Sequence, residues 1–174
     1  MNLDTLKQAI RDVPDFPKPG ILFKDITPVL DDPALFKAAV DLFVERYRKQ
    51  KIAKVAVVEA RGFLFGSAVA YRLGAGVVPV RKKGKLPYQT IEASYSLEYG
   101  TATLTMHTDA IRAGERVLLL DDLLATGGTA AATANLIEQL GGEVVEIAFL
   151  IELAFLKGRG KLSKYKVFAP ITFE

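Results

Sequence analysis

VLLLDDLLATGGTAAATANLIEQLGG, residues 117–142, is the stretch from which the fold can be read. It opens on apolar Val117 to Leu120, ends that run in two carboxylates, Asp121 and Asp122, and passes through a short loop to Thr126-Gly127-Gly128-Thr129. An Ala-rich segment follows until Gly141-Gly142 stops it. The pattern predicts a strand over 117–120, a polar switch, and a helix over 129–140. Unbonded backbone N–H groups, the positive end of the helix dipole and two hydroxyls converge at that helix start, which suits it to hold a phosphate. The glycines let the backbone approach an anion without Cβ interference. The two acids fall at the carboxyl end of the strand, where open α/β sheets bind their ligands. No Lys follows the glycines, so this is not the loop of nucleoside triphosphatases, and the glycine spacing is not that of the dinucleotide fingerprint. The plain alternative is a packing turn whose acids face water. Two acids placed directly after a buried strand weigh against it.

Outward from this stretch, strands and helices alternate. Asp32-Pro33 reads as an N-cap with Pro at the first helical position, opening a helix to about residue 49. Its face carries Leu35, Ala39, Leu42, Phe43 and Tyr47. AKVAVV, 53–58, is a continuous apolar strand of the kind found in parallel sheets covered on both faces. A helix over 63–73 ends at Gly74, and 76–80 is a short strand. Residues 88–107 alternate as a hairpin or flap, 143–151 completes a βαβ unit, and YKVFAPITF reads as an edge strand interrupted by Pro170. The expectation is one α/β domain over 1–174: a doubly wound, mainly parallel sheet, a small N-terminal hood over 1–30, and a basic loop and flexible β flap over 82–107.

Composition removes several chemistries. The chain has 174 residues, enough for a buried core, and half of them are apolar. It has no Cys, so disulfides, thiolate nucleophiles and Cys-based zinc sites are impossible. A single His, His107, cannot form a His cluster; on the alternating run TATLTMHT it reads as a solvated strand residue. The net charge of +3 is spread along the chain, which suits small anionic substrates and leaves no nucleic-acid footprint. The N-terminus is a short amphipathic helix rather than a signal core, and the apolar stretch over 144–156 contains Glu146 and Glu152. The expectation is a cytoplasmic protein with no membrane partner.

Two more clusters carry charge to the same sheet edge. Glu59-Ala60-Arg61-Gly62-Phe63 lies where a strand ends and a helix opens, and Gly62 would let backbone and guanidinium approach one anion. Arg81, Lys82, Lys83 and Lys85 follow the next strand. A basic run is usually a solvated face, but here its first members can reach the sheet edge. A polyanion held by both groups would carry a phosphate at one end and a pyrophosphate at the other. The run DFPKPGILFKDITPVL, 15–30, has too many prolines for a long helix and too many apolar residues for a solvated loop. It is either a packed cover or the wall of a flat apolar slot.

The 117–142 segment resembles the phosphoribosyl-diphosphate (PRPP) motif of type I phosphoribosyltransferases. With DFPKPGILFKDITPVL, EARGF, VRKKGKLP and ASYSLEYG, the resemblance narrows to the adenine phosphoribosyltransferase family and covers nearly the whole chain. That resemblance implies transfer of the phosphoribosyl group from PRPP to adenine, giving AMP and pyrophosphate, with substrate-bound Mg²⁺, no metal held directly by the protein, and a homodimer. It implies that Ala125, Thr126, Gly127, Gly128 and Thr129 wrap the 5′-phosphate, with Asp121 and Asp122 beside the ribose. Arg61, Arg81, Lys82 and Lys85 would hold pyrophosphate, partly across the dimer. Leu22, Phe23 and Lys24 would meet adenine, the outer two largely through backbone groups, and Glu98 and Tyr99 would lie on the flap. Glu98 would take the N9 proton and Arg61 would assist departure of the leaving group. Ala125 stands where the 6-oxopurine branch carries an Asp. The alternatives are a same-fold enzyme for uracil or a 6-oxopurine, and a non-catalytic PRPP or purine sensor.

Overall fold

Residues 2–96 and 100–174 are described in the computed structural model of this chain. They fall into two compact units, Met1–Glu45 and Arg46–Glu174.

The first unit begins with α1 (Leu3–Ala9), capped by the Asn2 side chain, which accepts the Thr5 N–H at 2.9 Å. Strands β1 (Arg11–Pro14) and β2 (Leu22–Asp25) pair antiparallel, with Arg11 opposite Asp25 and Asp12 opposite Lys24. Each of those cross-strand pairs is an ion pair, at 2.6 and 2.5 Å. Asp25 also accepts the Thr27 hydroxyl and N–H at the start of α2 (Thr27–Asp31). Those bonds, and then Arg11, draw its carboxyl down to about 2. Asp32 then caps α3 (Pro33–Tyr47) by accepting the Ala34 and Leu35 N–H groups, as the Asp-Pro pair leads one to expect. The apolar stripe of α3 is buried at Ala39, Val40, Phe43, Val44 and Tyr47. The unit thus takes in most of α3 as well as residues 1–30.

The second unit is built on β3 (Lys54–Val58), α4 (Gly62–Leu73), β4 (Gly76–Lys82), β5 (Thr90–Ser96), β6 (Thr101–His107), β7 (Arg116–Leu124), α5 (Gly128–Gln139), β8 (Glu143–Leu153), β9 (Val167–Phe168) and β10 (Ile171–Phe173). Among the described residues the strand order is β10-β8-β7-β3-β4-β6-β5, with β9 also on β8. The pairs from β10 to β4 are parallel, and the β5–β6 hairpin joins antiparallel to the end of β4. The continuous apolar runs of β3 and β7 are explained by their two covered faces. Ala56, Val58, Val117 and Leu119 join a core with Leu136 and Ile137 of α5. Val57 and Leu120 face α4, whose Gly66 approaches so closely that an added Cβ would lie 2.0 Å from Val57 Cγ1.

Two features differ from the sequence reading, and a third goes beyond it. Strand β7 does not stop at Leu120; it continues to Leu124 because β8 runs on beside it, with Leu124 opposite Glu152. Asp121 and Asp122 are therefore strand residues, held by a ladder. His107 is not a freely solvated strand residue, since its Nε2 is buried without a hydrogen-bond partner and its ring meets Tyr88 edge-on at 6.1 Å. Glu146 and Glu152 are both buried, each compensated by an arginine: Arg46 with Tyr47 for the first, Arg159 for the second.

Candidate active site

Parallel strands leave their carboxyl ends open on one side of the sheet, and the ends of β3 and β7 frame a cleft there of about 400 Å³. Residues 58–61 form one wall, 121–127 the other, and Thr129 and Ala130 of α5 with Phe149 of β8 close it. The tertiary structure thus brings Arg61, both acids and the TGGT loop to one place.

The charges in the cleft are already balanced. Arg61 Nε donates to Asp122 Oδ2 at 2.5 Å, with the carboxylate 6% exposed and the arginine at the rim. Asp121 accepts the Asp122 N–H at 2.9 Å. Burial first, and then the neighbouring Asp122 charge, push the Asp121 carboxyl well above the usual carboxylate range. One acid is neutralised by a guanidinium and the other keeps its proton to higher pH, so the paired acids do not bar a polyanion. Gly62 has a use that its place beside Arg61 did not reveal. Asp121 Oδ1 would lie 2.6 Å from a Cβ on Gly62, so the missing side chain makes room for the carboxylate.

Glu59 is the residue that sequence reasoning underrated. Its carboxylate accepts the Lys82 N–H at 2.6 Å and Arg81 Nη2 at 3.1 Å. Burial works against its ionisation, but the Lys82 N–H and Arg81 prevail and hold it below the usual range. Arg81 also donates to the Lys85 carbonyl at 3.2 Å. Arg81, Lys82 and Lys85 do not line the cleft themselves; Glu59 ties the start of the basic loop to its wall. A carboxylate at a strand end, two residues before Arg61, was the available signal.

The loop after β7 turns at Gly127, whose φ of 79° is left-handed. Its carbonyl accepts the Ala131 N–H at 3.0 Å, starting α5, and no side chain caps that helix. The first turn of α5 lies at the cleft, with Thr129 and Ala130 among its lining residues, and it is at their N-termini that helices hold anions. Thr126 is exposed, while Thr129 Oγ1 lies 3.0 Å from Tyr95 Oη of β5. Behind the loop, a Cβ on Gly127 would lie 2.4 Å from the Gly158 carbonyl oxygen. That turn is fixed by Arg159, which grips Glu152 with bonds of 2.7–2.9 Å. Nothing local in the sequence points to Gly158.

Leu22, Phe23 and Lys24 sit on β2 in the first unit. Leu22 is exposed, Phe23 packs edge-on against Phe16 at 5.1 Å, and the Lys24 ammonium is engaged by Asp12. Glu98 and Tyr99 lie outside the described residues.

Comparison with known proteins adds three findings. A family model described as a phosphoribosyl transferase domain matches residues 25–172. The chain is 59% identical over 171 residues to the adenine phosphoribosyltransferase of Geobacter metallireducens, covering 98% of this chain and all of that one. Its fold is similar to the crystal structure of adenine phosphoribosyltransferase from Rhodothermus marinus (TM-score 0.94, 57% identity, 98% of each chain covered). It is also similar to the Saccharomyces cerevisiae enzyme complexed with an imino-altritol bisphosphate and adenine (TM-score 0.92, 44% identity, 96% and 97% covered).

Proposed function

The chain belongs to the adenine phosphoribosyltransferase family, and from that premise we infer that it transfers the 5-phosphoribosyl group of PRPP to adenine, forming AMP and pyrophosphate. The observation that carries this reading is the charge-balanced cleft, with an uncapped helix N-terminus at one wall and Arg61 at the other.

Loop 125–129 would hold the 5′-phosphate through backbone N–H groups and hydroxyls, and the acids at 121 and 122 would meet the ribose. Breaking the C1′–O bond leaves positive charge on the ribose and negative charge on pyrophosphate. Arg61, released from Asp122, would stabilise the departing anion, together with Arg81, Lys82 and Lys85. Asp121 and Asp122 offer two carboxylates at the cleft, a hard oxygen donor set that fits a Mg²⁺ arriving with PRPP. Asp121 and Asp122 would face it, and when bound it neutralises leaving-group charge. Leu22 and Lys24 would read adenine through main-chain groups, consistent with an ammonium already committed to Asp12.

A panel of bases with PRPP and Mg²⁺ tests the assignment. Adenine should be converted to AMP, with discrimination against hypoxanthine of at least ~10²-fold, because the wrong base leaves buried donors or acceptors unpaired. Comparable turnover of hypoxanthine, guanine or uracil would overturn it.

A homodimer is part of the proposal. Leu64 and Tyr71 lie on one face of α4 at a spacing of seven residues and are 47% and 85% exposed; Val77 at the start of β4 is 44% exposed. Apolar side chains repeated along one helix face favour a symmetric partner. Sedimentation at micromolar protein should give twice the chain mass, and Tyr71→Asp should shift it toward the monomer. A native chain that stays monomeric and fully active would contradict this. No helix among the described residues is long and apolar enough to cross a membrane.

A further inference from the structure

We propose that Tyr95 is a positioning residue that couples the β5–β6 hairpin to the 5′-phosphate loop through a hydroxyl pair whose direction the ligand sets; this rests on the phosphate-loop reading above. Among the described residues strand β5 ends the sheet, pairing with β6 alone, and besides that ladder its face meets α5. That face is Ile91, Ala93 and Tyr95, packed against the core that α5 shares. The Tyr95 ring fills the place where Gly128 would carry a side chain, with Cδ2 2.8 Å from an ideal Cβ there. Its hydroxyl lies 3.0 Å from Thr129 Oγ1. The tyrosine therefore touches both residues with which α5 begins.

Two hydroxyls can bond in either direction, because each has one proton and can accept another. Thr129 Oγ1 stands as the donor to Tyr95 Oη. A phosphate in the loop only accepts, and it competes for the Thr129 proton. Once Thr129 turns that proton to the phosphate, its oxygen is left to accept, and Tyr95 supplies the matching donor. The chain then runs from Tyr95 to Thr129 to phosphate, with each bond polarising the next and a charged acceptor at its end. Phosphate binding thus strengthens the hold of the loop on β5, and the position of β5 feeds back on phosphate affinity.

Tyr95→Phe keeps the ring over Gly128 and removes only the hydroxyl. AMP affinity should fall roughly 2- to 10-fold, the range of one net hydrogen bond, while adenosine, which lacks the phosphate, binds with unchanged affinity. Hydrogen exchange with saturating ribose 5-phosphate supplies the second readout. In the unaltered protein the ligand should slow exchange both at 125–129 and in β5; in Tyr95→Phe only the loop should stay protected. Equal losses for AMP and adenosine, or full β5 protection in the variant, would overturn the coupling alone. No protection at 125–129 in the unaltered protein would sink the phosphate-loop reading and the coupling with it.

Discussion

Glu98→Gln should lower kcat by about 10²–10⁴-fold, the usual contribution of a general acid–base group, and leave the KM for PRPP near native. Adenine attacks C1′ through N9 and must lose a proton there as the new bond forms. A glutamine keeps the size of the side chain but accepts a proton far too weakly. The described acids at the cleft are already occupied. Asp122 is paired with Arg61, Glu59 is held by Arg81 and the Lys82 N–H, and Asp121 retains its own proton beyond the usual range. The family resemblance points to Glu98 in SLEYG as the remaining acid. On the proposed reading PRPP affinity would rest on other residues, Arg61 and loop 125–129, so the effect should appear in kcat. Glu98→Leu should do no better, since it lacks any acceptor. Steady-state rates under conditions limited by chemistry are the measurement. Near-native kcat in Glu98→Gln would assign the proton to water or pyrophosphate instead.

Gly127→Val should weaken AMP binding about 10³-fold while the chain still folds. At a φ of +79° a residue with a Cβ meets steric cost on the order of 1–2 kcal/mol, and a β-branched one meets more. The new Cβ would also lie 2.4 Å from the Gly158 carbonyl oxygen, a backbone atom that cannot swing aside. Overpacking of that kind costs roughly 1–3 kcal/mol, and relief comes only by moving the loop. A displaced loop forfeits charge-assisted bonds to phosphate, each about 1.5–3 kcal/mol. A total near ~4 kcal/mol corresponds to about a thousandfold in affinity. Because the loop lies at the open end of the sheet, the thermal transition should remain cooperative. Titration calorimetry with AMP decides the matter. Native affinity in this variant would return the TGGT loop to a packing role.

Most strands and helices were legible because their signals are local. Val117 to Leu120 and AKVAVV are apolar throughout, as strands covered on both faces must be, and Asp32 and Gly74 mark a helix start and a helix end. The TGGT turn between β7 and α5 was legible for the same reason: its glycines, hydroxyls and helix start are neighbours in the chain. The Arg61–Asp122 pair spans 61 residues, and the span from Tyr95 to Thr129 is 34. No periodicity encodes such meetings. Tyr95 could at most have been placed on the inner face of its strand by the alternation Ile91, Ala93, Tyr95.

Sequence alone determined the α/β class, the place of the TGGT loop at a strand end, and the exclusion of thiol and His-cluster chemistry through the absence of Cys and the single His. Each of those follows from residue type and short-range spacing. Tertiary structure alone decided how the charges are spent: Asp122 on Arg61, Glu59 on the basic loop, Gly62 as room for Asp121, and Gly158 as the backstop of Gly127. The physical reason is that a carboxylate's charge state and a glycine's necessity depend on what packs within a few ångströms. That neighbourhood is assembled by strand order and register, which join segments the chain keeps far apart.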